Sequence, residues 1–119
     1  MEKILQDKLK VLSANCRGLK DKIKRYDVLN YIQNTEANII CLQDTHLTEL
    51  DSPEVKTLWD GDFILNGRAN NARGVAILFR KNFEYEIINQ ETDNEGNLLI
   101  VSLKINEMKL KIINIYWAK

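Results

Sequence analysis

The chain predicts an α/β fold, a mixed β-sheet with helix packing on one side, and three observations carry that reading. Ile39-Ile40-Cys41-Leu42 is a continuous apolar run that ends in Gln43-Asp44-Thr45-His46. Such a run reads as a strand buried on both faces, with its polar groups at the carboxyl end, where open α/β sheets place ligands. Ahead of it, residues 9–15 have a strand pattern and residues 21–34 a helical one, so the chain opens as a βαβ-like unit. Behind it, residues 98–105 and 108–116 are two apolar stretches joined by Asn106-Glu107, short enough for a tight hairpin.

Composition narrows the function classes. With 119 residues, 45% of them hydrophobic and 29% charged, the chain suits one soluble domain. A domain of this size buries roughly two-thirds of its extended surface. Seventeen basic and 17 acidic side chains balance, which argues against nucleic-acid binding through an overall positive field and leaves only a local basic face. Cys16 and Cys41 lie in or beside apolar strands, with no CxxC pair and no histidine besides His46. Structural zinc is therefore not expected. Two reduced, buried thiols fit an intracellular protein, cytoplasmic or nuclear. Residues 1–10 alternate charge with leucine and isoleucine, without the apolar core of a signal peptide, and no stretch is apolar enough for a membrane span. Residues 1–8 are expected to be a loosely held leader and residues 9–119 one domain.

Each element has its own signal. Leu9, Val11 and Leu12 mark the first strand, which ends at Asn15-Cys16-Arg17-Gly18, with Gly18 as a strand-to-helix turn. In the helix, Ile23, Tyr26, Leu29 and Ile32 or Tyr31 recur at three- and four-residue spacing as one apolar stripe, and Asp21 is its N-cap or first-turn acid. After His46, a connection containing Pro53 carries a short helix with Val55, Leu58 and Trp59. Phe63-Ile64-Leu65 is a brief strand, 66–71 a polar loop, and 74–79 another buried strand. Residues 83–88 follow, and 92–97 have turn composition. Leu99, Val101, Leu103 and Ile105 line one face of the next strand, whereas Ile112, Ile113 and Ile115 leave little polar surface on either face of the last.

Three apolar strands each end in a distinctive polar group, Asn15, Asp44 and Tyr116. If the strands are parallel neighbours, those groups meet at one rim. A carboxylate beside an amide suits a hard cation such as magnesium, which neutralises phosphate charge and helps generate hydroxide. Taken separately, an asparagine after a strand is a common turn residue and an isolated aspartate a common cap. Tyr116 alone reads as a core-edge ring with a wet hydroxyl. Lys20, Lys22, Lys24 and Arg25 cluster at the helix start, and Arg68, Arg73, Arg80 and Lys81 lie near the later strands. The ordinary reading is a solvated face, because Glu36, Glu49, Asp51, Glu54, Asp60 and Asp62 blunt any broad field. Arg17 and Lys20, beside the Asn15 rim, remain the candidates for a local basic contact.

These residues resemble the exonuclease–endonuclease–phosphatase superfamily, and within it the apurinic-like endonuclease domain of LINE-type retrotransposon reverse-transcriptase proteins. Ala14-Asn15-Cys16-Arg17-Gly18-Leu19 is similar to its first-strand motif, and Leu42-Gln43-Asp44-Thr45-His46-Leu47 to its Gln-Glu-Thr-His motif. Arg73-Gly74-Val75-Ala76-Ile77-Leu78 resembles a structural strand, and Asn114-Ile115-Tyr116 the Asn-Ile-Tyr segment near the scissile phosphate. The resemblance implies half of a two-sheet sandwich and a magnesium-dependent phosphodiesterase that nicks DNA. In it Asp44 ligates the metal, Asn15 orients metal and phosphate, and Tyr116 hydrogen-bonds a phosphate oxygen.

Two departures accompany the resemblance. The family's glutamate is Asp44 here, one methylene shorter, so its oxygens retreat by about 1 Å, a misplacement that can cost on the order of 10²-fold. The family's later Asp-x-Asn motif and terminal Asp-His pair have no counterpart, and Trp117-Ala118 replaces its Ala-Pro. His46 already belongs to the Asp44 motif, so a rim hydrogen bond is its expected job, with a nucleic-acid contact as its functional reading. The expectation is a weak or inactive nuclease; the alternative is a non-catalytic retroelement-derived remnant or interaction module. A single sheet without its partner would leave an inner face with members of the Leu99, Val101, Leu103 and Ile105 set or of the Ile112 set open to self-association or to another protein.

Overall fold

The apolar run at residues 39–43 forms the centre of a four-stranded sheet in a computed structural model, which describes residues 8–68 and 73–117. The expected leader and the end of the 66–71 loop fall largely outside those residues. Strand β1 (Val11–Asn15) runs parallel to β2 (Ile39–Gln43), with Asn15 opposite Gln43, and helix α1 (Lys22–Gln33) makes the crossover between them. On its other edge β2 pairs antiparallel with β4 (Val75–Phe79), which pairs with β3 (Phe63–Asn66), giving the order β1-β2-β4-β3. Every residue of β4 is buried, as are the first four of β2. A strand apolar on both faces needs a covering layer on each, and the chain provides two different ones.

One layer is helical. Helix α1 and helix α2 (Ser52–Leu58) set Leu29, Ile32 and Val55, with Trp59 just beyond α2, against Ile40, Leu42, Ala76 and Leu78. The other layer is a second sheet of β5 (Glu86–Thr92), β6 (Leu98–Ile105) and β7 (Met108–Ile115), antiparallel in that order. Asn106 turns the β6–β7 hairpin with φ 56°, a conformation asparagine tolerates. Leu99, Val101, Leu103 and Ile105 on β6 pack against Ile39, Cys41, Val75, Ile77 and Phe79. This corrects the expected single sheet with an open inner face. The chain's own last strands cover that face, so its apolar residues are core and give no reason for self-association.

Two further expectations change. The apolar stripe of α1 is rotated: Ile23 is 73% exposed and Tyr26 and Tyr31 are also exposed, while Arg25, Leu29 and Ile32 face inward. Arg25 is accommodated because its guanidinium donates to the carbonyls of Leu19 (2.9 Å) and Lys20 (3.3 Å) and to Glu54 Oε1 (3.1 Å). Asp21 occupies the N-cap position without making a capping bond. In the stretch 83–88, to which the sequence pattern assigns no element, a strand begins at Glu86, runs into the expected turn at Thr92 and stays exposed along its length, so burial left no alternation to read there. Phe83 and Tyr85 precede it as a stack, with Tyr85 4.2 Å from the Phe79 ring. No helix among the described residues is long and apolar enough to cross a membrane.

Candidate active site

Pairing continues beyond the strand ends. Past β1, the amides of Cys16, Gly18 and Leu19 donate to the carbonyls of Gln43, Asp44 and Thr45 at 2.7–2.8 Å. From the other side, the amides of Thr45 and His46 donate to the carbonyls of Gly74 (3.0 Å) and Arg73 (2.8 Å). Residues 44–46 are thus clamped between two loops. The clamp holds Asp44 at φ 55° and His46 at φ 61°, left-handed conformations that cost a side-chain-bearing residue energy and that recur at functional sites.

Asp44 Oδ1 lies 2.9 Å from His46 Nε2, and the carboxylate is only 16% exposed. The imidazole rests on Gly18, where a Cβ would fall 2.8 Å from Nδ1. Gly74, at φ 120°, makes similar room for the buried Thr45, whose hydroxyl accepts from the Leu47 amide at 3.1 Å. Asn15 is exposed on the neighbouring strand end, with its Oδ1 accepting from the Arg17 amide at 3.1 Å. Asn15 and Asp44 are therefore adjacent by parallel register.

Tyr116 is not on a third parallel strand, as the convergence argument supposed. It follows β7 in the facing sheet, half-buried in the inter-sheet core, with its amide donating to the Asn97 carbonyl at 2.8 Å. It still reaches the same end of the sandwich, because Asn114, two residues earlier, touches the end of β2. Asn114 is 1% exposed; its Nδ2 donates to the carbonyls of Leu42 (3.1 Å) and Ala76 (2.7 Å). Its Oδ1 accepts from Gln43 Nε2 at 2.7 Å. Neither Asn114 nor Gln43 was among the expected site residues. The available signal was an amide at an inward position that Leu110 and Ile112 otherwise make apolar.

The basic residues are mostly engaged elsewhere. Lys20 pairs with Asp51 at 3.2 Å, Lys22 with Glu54 at 3.6 Å, and Lys24 Nζ donates to the Arg17 carbonyl at 3.0 Å. Arg80 caps the end of α1. Arg17 is exposed beside Asn15.

Among the described residues no three histidine, cysteine or acidic side chains group as a metal cluster. What the rim offers is oxygen: the second oxygen of the Asp44 carboxylate and the exposed Asn15 amide. So sparse a hard-donor set fits a cation that keeps most of its water, as magnesium does, and does not fit zinc. The free thiols of Cys16 and Cys41 do not enter this chemistry, since burial pushes both up to about 11.

Comparison with known proteins places these features. Over 112 residues the chain is 23% identical to the "Transposon TX1 uncharacterized 149 kDa protein" of Xenopus laevis, covering 91% of this chain and 8% of that protein. Its fold is similar to a functionally unknown conserved protein from Enterococcus faecalis V583 (TM-score 0.67, 15% identity, 91% of this chain and 52% of that one). It is also similar to truncated Caenorhabditis elegans TDP2 (0.65, 19%, 93% and 47%). A third similar structure is the endonuclease domain of TRAS1, a telomere-specific non-LTR retrotransposon (0.65, 15%, 92% and 46%). The chain spans about half the length of these solved structures. Residues 12–113, nearly all of the two-sheet core, match the family model, and the chain belongs to the Endonuclease/Exonuclease/phosphatase family.

Proposed function

We propose that this chain carries one side of a magnesium-dependent phosphodiesterase site for DNA, with little nicking activity of its own. The observation that carries the reading is the adjacency of Asn15 and Asp44 on parallel neighbours, on a rim that the strand bearing Tyr116 also reaches. Asp44 is the metal ligand, through the oxygen that His46 does not engage. Asn15 orients the phosphate beside it, Tyr116 donates its hydroxyl to a phosphate oxygen, and Arg17 is the cation nearest the Asn15 end. When bound, magnesium supplies positive charge against the phosphate. Lys20 contributes less to DNA contact, because Asp51 neutralises it. His46 acts by holding Asp44.

The low activity follows from the inventory. Asp44 is the carboxylate proposed for the metal, and the chain's single histidine is already committed to it. The chain has no second histidine to position and activate water. Two buried thiols agree with an intracellular setting, cytoplasmic or nuclear.

The test is magnesium-dependent nicking of supercoiled plasmid by the purified chain alongside Asp44→Ala. The expected result is a trace of nicking or none, and a difference between the two proteins below about 10²-fold, the low end of a general acid–base contribution. Robust nicking abolished by Asp44→Ala would overturn the claim of low activity. A second reading, a non-catalytic interaction module, is favoured by the outer face of the second sheet, where Ile113, Ile115 and Trp117 are exposed. Absence of both nicking and cation binding from a folded sample would put that reading first.

A further inference from the structure

The strands that end at Asn15, Asp44 and Tyr116 are tied together by side-chain amides just before those ends. Asn114 stands two residues before Tyr116, Gln43 one before Asp44, and Ser13 two before Asn15. Gln43 Nε2 is 2.7 Å from Asn114 Oδ1, 3.0 Å from Ser13 Oγ and 3.3 Å from its own strand's Cys41 carbonyl. The orientation of Asn114 is fixed by its other end, since only the NH2 group can donate to the carbonyls of Leu42 and Ala76. Its oxygen must then accept, and Gln43 supplies the proton. One buried amide so touches β2 and β4 directly and, through Gln43, β1.

Stability alone does not call for an amide here. Asn114 points into an inter-sheet core of leucine, isoleucine and valine, where an aliphatic side chain would avoid the cost of desolvating a polar one. A buried amide bonded through both its nitrogen and its oxygen sets register instead, because sliding either sheet breaks several bonds at once. We propose that Asn114 is a positioning residue: through Gln43 and the two carbonyls it sets Tyr116 against Asp44, and through Ser13 it sets Asn15 beside them. The inference rests on the roles proposed for those three groups.

Amide hydrogen exchange tests it without requiring activity. The variants are Asn114→Ala, Gln43→Leu and, as a control in the same core away from the rim, Leu103→Ala. The rim reporters are the amides of Gly18 and Leu19, held by the carbonyls of Asp44 and Thr45; the far-end reporter is the Arg80 amide, held by the Asn38 carbonyl. Asn114→Ala is expected to speed the rim amides by about tenfold more than Arg80, whereas Leu103→Ala speeds both ends alike. Equal acceleration at both ends in Asn114→Ala would overturn the proposal. Should that variant not fold, Gln43→Leu decides by the same comparison. Manganese titration gives a second readout: about tenfold weaker binding in Asn114→Ala, as expected for a group that orients a ligand, and little change in Leu103→Ala. A wild-type chain that binds no manganese would overturn the metal role of Asp44, with exchange still deciding the brace.

Discussion

The imidazole of His46 occupies the space that a side chain on Gly18 would need, while its Nε2 lies 2.9 Å from Asp44 Oδ1. A glycine in the first loop thus determines how a carboxylate in the second is held. Gly18 also has φ 90°, which a side-chain-bearing residue rarely adopts. Gly18→Ala is therefore expected to cost about 1–3 kcal/mol and to push the His46 ring off Asp44. Chemical denaturation measures the first effect, and the shift of the His46 ring resonances the second. An alanine variant with wild-type stability and an unmoved ring would refute the contact.

Arg25 is expected to matter more than its ion-pair partner. Its guanidinium is buried and donates to two carbonyls in the loop before α1, whereas Glu54 is half exposed. Solvent screens the Arg25–Glu54 pair, so Glu54→Ala should cost at most about 1 kcal/mol. Arg25→Ala strands the Leu19 and Lys20 carbonyls and opens a cavity, and should cost about 2–4 kcal/mol. Urea unfolding of both variants checks the order. Equal losses would mean that the ion pair, not the carbonyl contacts, is what Arg25 contributes.

The same residue marks what local pattern can reveal. Helical spacing gives Ile23, Tyr26, Leu29 and Ile32 or Tyr31 as the buried stripe. Leu29 and Ile32 are buried, but Ile23, Tyr26 and Tyr31 are exposed, and Arg25, which scores as surface, goes inward once its carbonyl partners are in place. Ile39–Leu42 was legible because a run apolar on both faces has few alternatives to a central strand. The βαβ order then makes Asn15 and Asp44 neighbours, so half of the candidate site follows from the chain's beginning. The placement of β6 and β7 was not legible, since period-two alternation is identical for a strand that joins a sheet and one that faces it. Tyr116 was consequently assigned to the wrong sheet although to the right end. Asn114 carried a visible anomaly, an amide at an apolar position, but its meaning lies in carbonyls 72 and 38 residues away.

Alkaline pH should destabilise the fold through its thiols. Burial pushes Cys16 and Cys41 from 9.0 up to about 11, with Lys24 opposing and Asp44 reinforcing the effect at Cys16. Between those values the unfolded chain has released thiol protons that the folded chain retains, so stability falls as pH rises. Tyr85 adds to the trend above its ordinary range, because burial and Asp62, which accepts its hydroxyl at 2.9 Å, both keep it protonated. The urea midpoint should decline steadily from pH 9 to 11, and Cys41→Ala should flatten that decline. A midpoint independent of pH over this interval would contradict the burial of the thiols.

Arg80 offers the clearest separation of charge from geometry. Its guanidinium donates to the carbonyls of Ala37 (2.8 Å), Gln33 (2.9 Å) and Ile32 (3.1 Å) and to the Thr35 hydroxyl (3.3 Å), at the end of α1. It also lies over the Trp59 ring, 5.3 Å from the centroid, while Trp59 Nε1 donates to the Phe79 carbonyl. One planar fork therefore joins the helix end, the turn into β2 and the core tryptophan. Lysine keeps the positive charge near the helix C-terminus but not the fork. If charge were the contribution, Arg80→Lys would lose less than about 0.5 kcal/mol and Arg80→Ala about 1. The geometry predicts instead that both lose about 2–3 kcal/mol, since neither can satisfy the spread of carbonyls. Equilibrium unfolding of the two variants, followed by Trp59 fluorescence, distinguishes these outcomes, and a lysine variant close to wild type would show that the fork is dispensable.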